Sequence, residues 1–281
     1  MPRHPRVVVL LLLIAVAPAA RAGVFDFLLP HHDFEVISNT EMTEAGRQRP
    51  APTREKPEYY LAVSLGYRDL GGVMGGIKEP PKTEVYRAIG IALAKQGFLP
   101  ANEHTPPPTL VLTFTWGTLN TEVDYGTNPD LPPRQRNRQQ ILKFIGGYSL
   151  GFSDSHFDPD TAPLFGLQLM NSDARDFYDL AADDFYVAAV AAYDLEALHN
   201  KQKKILWITR IGSPSLGFSL SDVMGKMVAI GGVNFGHETT RPVRIRATDK
   251  YSPSTSLGEL KVIDYLKPAP PAADKDANKK P

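Results

Sequence analysis

The chain has 281 residues, with 31 basic and 31 acidic side chains and 42% hydrophobic residues. That length suits one large domain with tails or an insertion, and the balanced charge argues against a nucleic-acid-binding protein. Cysteine is absent, which excludes disulfides, thiol nucleophiles and thiolate zinc sites.

Residues 1–22 have the order of a cleavable export signal. Met-Pro-Arg-His-Pro-Arg is short and basic, Val7 to Val16 is an unbroken apolar run, and Ala20 and Ala22 frame an A-x-A exit. The apolar run is half the roughly 20 residues of a membrane span. Cleavage after Ala22 is expected, giving a soluble periplasmic or extracellular protein with no transmembrane segment. No cysteine stands near the exit to carry a lipid. Removal of the signal's three arginines leaves 28 basic and 31 acidic residues.

Residues 23–57 read as an extended N-terminal arm with one short helix around Thr40 to Arg47. A single domain is expected over residues 58–265. Tyr59, Leu61, Val63, Leu65 and Tyr67 alternate with smaller residues, the period of a strand. A glycine-rich loop follows, holding Gly71, Gly72, Gly75 and Gly76. Thr83 is placed to cap a helix whose stripe is Val85, Ala88, Ile89, Ala92 and Leu93, and Gly97 stops it. Leu110 to Trp116 alternates as a second strand. Strand, helix and strand over this length predict a right-handed βαβ unit with parallel strands.

Residues 117–183 read as a long insertion, with a helix over Arg134 to Ile145. Phe185 to Tyr193 is apolar on both faces, as a central strand is. A polar turn near Asn200 leads to Lys204–Arg210, completing a hairpin. Ser219 and Asp222 have capping-box spacing, and Leu220, Val223, Met224, Met227, Val228 and Gly231 form the helix stripe behind them. Residues 241–265 are expected to add one or two edge strands, and the Pro/Ala/Lys/Asp composition of 266–281 predicts a disordered tail. The fold class is thus α+β: a mixed sheet with one βαβ unit and one β-hairpin, helices packed on the sheet, and a long insertion between the second and third strands.

No residue set has the spacing of a known catalytic or cofactor motif, so no catalytic, metal or cofactor residue is assigned. The Gly71–Gly76 loop lies between strand and helix, where ligand loops occur, but lacks both phosphate-binding spacings. With Tyr59, Tyr67 and Trp116 it makes one candidate for a small-ligand site. His31, His32 and Asp33 are adjacent metal-ligand types without further donors at a binding spacing. Asp154, Asp158 and Asp160 form an acidic loop whose Pro159 spoils the calcium pattern. Asp154, Asp158, Asp183 and Asp184 are the carboxylates that a secreted hydrolase would draw on. Arg134, Arg136, Arg138 and Lys143 are a basic cluster suited to a lipid phosphate or acidic polymer, or to a solvated helix face. Finally, I-G-G-x-x-x-G occurs twice. Gly146, Gly147 and Gly151 in one copy, and Gly231, Gly232 and Gly236 in the other, are either helix C-caps or points of close packing or partner contact.

The element order, with Ala191-Ala192-Tyr193-Asp194 leading to Ile205-Leu206-Trp207, resembles the α/β domains of curli-secretion lipoproteins and other uncharacterised exported envelope proteins. The resemblance spans roughly residues 58–235 without the insertion, and this chain lacks the lipidated cysteine. It implies an exported envelope protein. A non-enzymatic interaction or assembly module is the function expected, its partner another envelope protein or a second copy. A carboxylate-pair hydrolase and a small-ligand-binding protein are the alternatives.

Overall fold

The computed structural model describes residues 34–72, 76–127, 133–153 and 172–247. The export signal, His31 to Asp33, Gly75, the Asp154–Asp160 loop and the C-terminal tail lie outside the described residues.

The fold is α+β. A seven-stranded mixed sheet runs in the order β3-β2-β4-β7-β8-β1-β9. Its strands are β1 (Phe34–Met42), β2 (Glu58–Gly71), β3 (Phe98–Pro100), β4 (Leu110–Asn120), β7 (Phe185–Asp194), β8 (Ile205–Pro214) and β9 (Val243–Ala247). A separate two-stranded ribbon pairs β5 (Val123–Asp124) with β6 (Arg134–Gln135). The helices are α1 (Glu44–Arg47), α2 (Lys82–Lys95), α3 (Arg138–Phe144), α4 (Ser172–Leu180), α5 (Leu195–His199) and α6 (Leu220–Gly231).

The βαβ unit is present: β2 and β4 pair in parallel, with α2 in the connection. The connection also leaves β3 parallel to the start of β2 on the opposite side. β7 and β8 form the expected antiparallel hairpin. β7 is central, which explains why its sequence is apolar on both faces. Its turn contains α5, capped by Asp194 accepting from Ala197 N–H.

One face of the sheet carries α2 and α6 over the larger core. Val85, Ile89, Ala92 and Leu93 from α2 meet Val223, Met224, Met227 and Val228 from α6, above Trp116, Val190 and Ile211. The opposite face is covered by α3 and α4, where Ile141, Leu142, Ile145 and Phe177 pack on Ile37, Leu119, Phe185 and Val187. Ser219 caps α6 by accepting from Asp222 N–H, and its hydroxyl donates to Asp222 Oδ2 at 2.7 Å, a side-chain bond in place of the backbone bond of a full capping box. α2 differs from expectation. It begins at Lys82 with Pro81 at the N-cap and no side-chain cap. Pro81 has the fixed φ and extended ψ that launch a helix unaided.

The N-terminal segment departs most from the sequence reading. Phe34–Met42 is a full strand inside the sheet, antiparallel to β8 on one side and β9 on the other. Only Glu44–Arg47 is helical, with Thr43 as its cap. The insertion also differs. β4 runs through Asn120, and Arg134–Gln135 is extended, so the predicted helix begins at Arg138. Asn137 causes this by reaching back: its Nδ2 donates to Asn120 O (2.6 Å) and its Oδ1 accepts from Glu122 N–H (2.8 Å).

The two glycine echoes lie on opposite faces of β1. Ser38 Oγ donates to Gly231 O at 2.8 Å on the α6 side. A Cβ on Gly146 would fall 2.8 Å from Asn39 Cγ and from Pro242 on the other side. A Cβ on Gly231 would sit 2.5 Å from Ile211 Cγ2, and one on Gly232 would sit 2.8 Å from both Ala92 Cβ and the Phe235 ring. Gly236 lies against the Phe98 ring and Gly147 against Leu142, while Gly151 has open space. The close approaches are thus to the chain's own β1, β8, α2 and β3. Gly232→Leu should overpack this junction and cost about 2–3 kcal/mol, lowering the melting temperature by roughly 5–10 °C. Urea unfolding of wild type and variant measures the difference, and an unchanged midpoint would remove the packing role.

Candidate functional site

The concave feature with the most convergent chemistry lies where β2 begins and β7 ends. Its floor is apolar and aromatic: Met42, Phe98, Leu110, Leu206 and Trp207. The short β3 delivers Phe98, and its ring tilts against Trp207 at a centroid distance of 5.4 Å. Pro50, Ala51 and Pro52, running from α1 to β2, form one wall. Prolines hold that connection extended without spending backbone donors. This hollow measures about 330 Å³, and a larger one of about 400 Å³, lined by Tyr59, Pro106 and Pro107, shares the same wall. Together they form a grooved surface at one end of the sheet.

Arg49 organises the rim. Its Nη2 meets Glu58 Oε1 at 2.5 Å and its Nη1 meets Asp194 Oδ2 at 3.1 Å. Glu58 Oε1 also accepts from Thr109 Oγ1 at 2.9 Å, and Asp194 Oδ1 caps α5. Both carboxylates are therefore held by one guanidinium and by backbone-shaping bonds. On the far rim Arg47 pairs with Glu238 at 2.7 Å. That hydrogen bond holds the Glu238 carboxyl below its usual range and raises Arg47. His237 lies beside this pair at the cleft edge.

Other sequence candidates are placed differently. Tyr67 and Trp116 are opposite each other in the β2–β4 register, but Tyr59 lies eight residues back along β2, beside the cleft. At roughly 3.3 Å per residue it is far from the glycine loop. Gly71 and Gly72 would each drive a Cβ into the carbonyls of Asn120 and Thr121, so they let the end of β2 close on β4; Gly76 has open space around it. Asp69 Oδ1 accepts from Tyr67 OH (2.5 Å) and Thr118 Oγ1 (2.8 Å). Asp184 accepts from Thr121 N–H (2.6 Å) and Thr121 Oγ1 (2.9 Å), bracing the strand end. The basic cluster is dispersed: Arg136 pairs with Asp124 at 2.6 Å, Arg138 lies over the Tyr178 ring and Lys143 over the Tyr148 ring. Among the described residues, no three His, Asp or Glu side chains converge in a way that would hold a metal ion. Nor is any described helix long and apolar enough to cross a membrane. Sequence reasoning missed the cleft because its residues come from separate segments scattered between Met42 and His237. The only local cue was the Pro50-Ala51-Pro52 wall.

No known protein family matches the sequence, and no curated protein matches it. Among solved structures, the chain is similar to a PDZ domain protein from Parabacteroides distasonis, with 12% identity and a TM-score of 0.37 over 75% of this chain. It spans only 39% of that protein's length. It is also similar to the PelC dodecamer from Paraburkholderia phytofirmans, with 11% identity and a TM-score of 0.30, over 71% of this chain and 95% of that one. At these scores neither likeness assigns a family or a function.

Arg49→Met should leave Glu58 and Asp194 facing each other without their cation. These side chains are 18–28% exposed, so water screens part of the penalty, and about 1–2 kcal/mol of stability should be lost. Chemical denaturation at neutral pH measures it. Burial pushes Tyr60 up to about 12, and burial together with the Asp69 hydrogen bond does the same for Tyr67. An unfolded tyrosine ionises near pH 10. The folded state thus favours the neutral phenols, and their stabilisation, complete below pH 10, should drain away between pH 10 and 12. Phenolate absorbance should show these two as the late fraction of the titration. Replacing both with Phe should remove most of that fraction, leaving Tyr186, which burial also raises.

Proposed function

We propose that this chain is exported by its first 22 residues and serves as a non-enzymatic interaction module of the bacterial cell envelope. Its end-of-sheet cleft seats an apolar segment of an envelope partner. The observation that carries this reading is the chemistry of the cleft. The floor is aromatic and aliphatic, and the two nearest carboxylates are tied to Arg49 and to structural hydrogen bonds. A general acid–base pair needs a carboxyl at liberty to exchange a proton with substrate. Carboxylates committed in this way favour binding over hydrolysis. An apolar hollow with a few polar rim groups is the usual form of a binding site. The resemblance to exported curli-secretion-type α/β domains agrees with the address, and the lack of a lipidated cysteine agrees with a soluble form.

A photocrosslinking residue at Ala51, in the full chain expressed with its own leader, tests both parts. The expected result is a processed protein in the periplasmic or extracellular fraction carrying a discrete adduct. Met42→Asp should abolish the adduct in a chain that circular dichroism shows to be folded, at some cost in melting temperature because Met42 packs partly buried against the core. Retention of an unprocessed chain in the cytoplasm would overturn the address. An adduct indifferent to Met42→Asp would overturn the cleft.

A further inference from the structure

β2 is 14 residues long, but β3 covers only its first three residues, Glu58 to Tyr60. From there to Gly71 its outer edge has no strand partner among the described residues. Exposed large apolar side chains concentrate on it: Leu61 (42%), Val63 (43%), Leu65 (48%) and Leu70 (44%). Arg68 and Asp69 are the only charges between Leu61 and Gly72, and they cancel. A long, apolar, unpaired edge is a template for strand addition.

The backbone phase of this edge can be followed. Glu58 N–H donates to Gly97 O and Ala101 N–H donates to Tyr60 O, both at 2.9 Å, so the even residues turn their backbone groups outward. With a strand period of two, Ala62 and Ser64 do so next. The β-bulge between Ser64 and Gly66 inserts one residue. Beyond it the outward residues are therefore Tyr67, Asp69 and Gly71, and the side chains change face by the same step. Val63 lies opposite Thr113 and Leu70 opposite Leu119, so both project from the face of the sheet away from α2 and α6.

We infer that a second copy of this chain pairs with this edge, β2 antiparallel to β2 about a two-fold axis between Gly66 and Tyr67. This deepens the interaction reading by naming a partner, and it uses the edge rather than the cleft. In this register Val63 of one copy faces Leu70 of the other on the apolar side. Ser64 faces Asp69, with the backbone groups of both turned toward each other, and Ala62 faces Gly71. The same contacts recur at both ends, as an isologous interface requires. The pairing runs from Ala62 to Gly71 in two ladder stretches, interrupted at the axis where the bulge sets Gly66 against Tyr67, and stops short of the stretch that β3 covers in each copy. The cancelling charges of Arg68 and Asp69 let two identical edges approach without net repulsion, which a uniformly charged partner strand would not gain from.

The cysteine-free chain makes the test clean. Val63 and Leu70 would form a non-hydrogen-bonded cross-strand pair, whose Cα separation of about 4.5 Å lies within disulfide range. In one chain they are seven residues apart along an extended strand and cannot bridge. The full chain carrying Val63→Cys and Leu70→Cys should give a covalent dimer with two bridges on mild oxidation, read by intact mass. Wild type should sediment as a dimer at about 100 µM. Val63→Lys with Leu70→Lys should weaken that dimer about tenfold or more, with a melting temperature equal to wild type at dilutions where both are monomeric. A monomeric wild type with no crosslink would overturn the pairing. Equal crosslinking by Val63→Cys alone would overturn the register. Because the Ala51 adduct reports on the cleft, either failure leaves its result readable.

Discussion

The fold depends on one strand being held between two others by polar contacts. β1 separates β8 from β9, and Ser38, Asn39 and Thr40 are all buried. Each is paid for by a hydrogen bond. Ser38 Oγ donates to Gly231 O, and Thr40 Oγ1 bonds both Thr209 Oγ1 and Asn234 O at 2.7 Å. Thr239 Oγ1 accepts from Thr40 N–H at 2.9 Å and donates to Asn39 Oδ1 at 3.2 Å. Glu35, also buried, is gripped by Arg244 of β9. Removing one member of such a network leaves a buried group unsatisfied, which costs about 1–3 kcal/mol. β1 is therefore specified by mutual satisfaction over Ser38 to Thr40 as well as by the burial of Phe34, Val36 and Ile37.

This arrangement explains the glycine echoes. A strand pinned by side-chain bonds to Gly231 O on one face and packed against Gly146 on the other needs both neighbours close. Glycine permits that approach because it has no Cβ. The helix that ends at Gly231 then turns through Gly232 onto Phe235, whose ring packs against Trp207 of the cleft floor. The order runs from β1 to the α6 terminus to the aromatic floor, so the cleft's shape is inherited from the polar strand beside it.

The two ends of β2 have different fates for a related reason. At its start, β3, the Pro50–Pro52 wall and the Arg49 ion pairs cover the strand and make a concavity. Past Tyr60 nothing described continues that cover, and the strand projects its aliphatic row outward. A concave, charge-rimmed end and an exposed, apolar edge suit different contacts: the first an inserted segment, the second another strand.

Much of the architecture was legible in residue periodicity. α2, α6 and the β7–β8 hairpin carry their apolar stripes locally, because each buries one contiguous face, and the β2–α2–β4 crossover follows from their order. β1 was not legible. Its Phe-Glu-Val-Ile-Ser-Asn-Thr run is polar where hydrogen-bond partners nearly 200 residues away replace apolar contacts. The residues of the candidate site were individually visible but not their convergence. Arg49, Glu58 and Asp194 become a cluster only when the segment after α1, the start of β2 and the end of β7 meet at one end of the sheet, and periodicity carries no information about which distant ends meet. Local pattern thus decides the elements that bury a face of their own. Tertiary structure decides those whose partners are remote, and here these are β1 and the cleft.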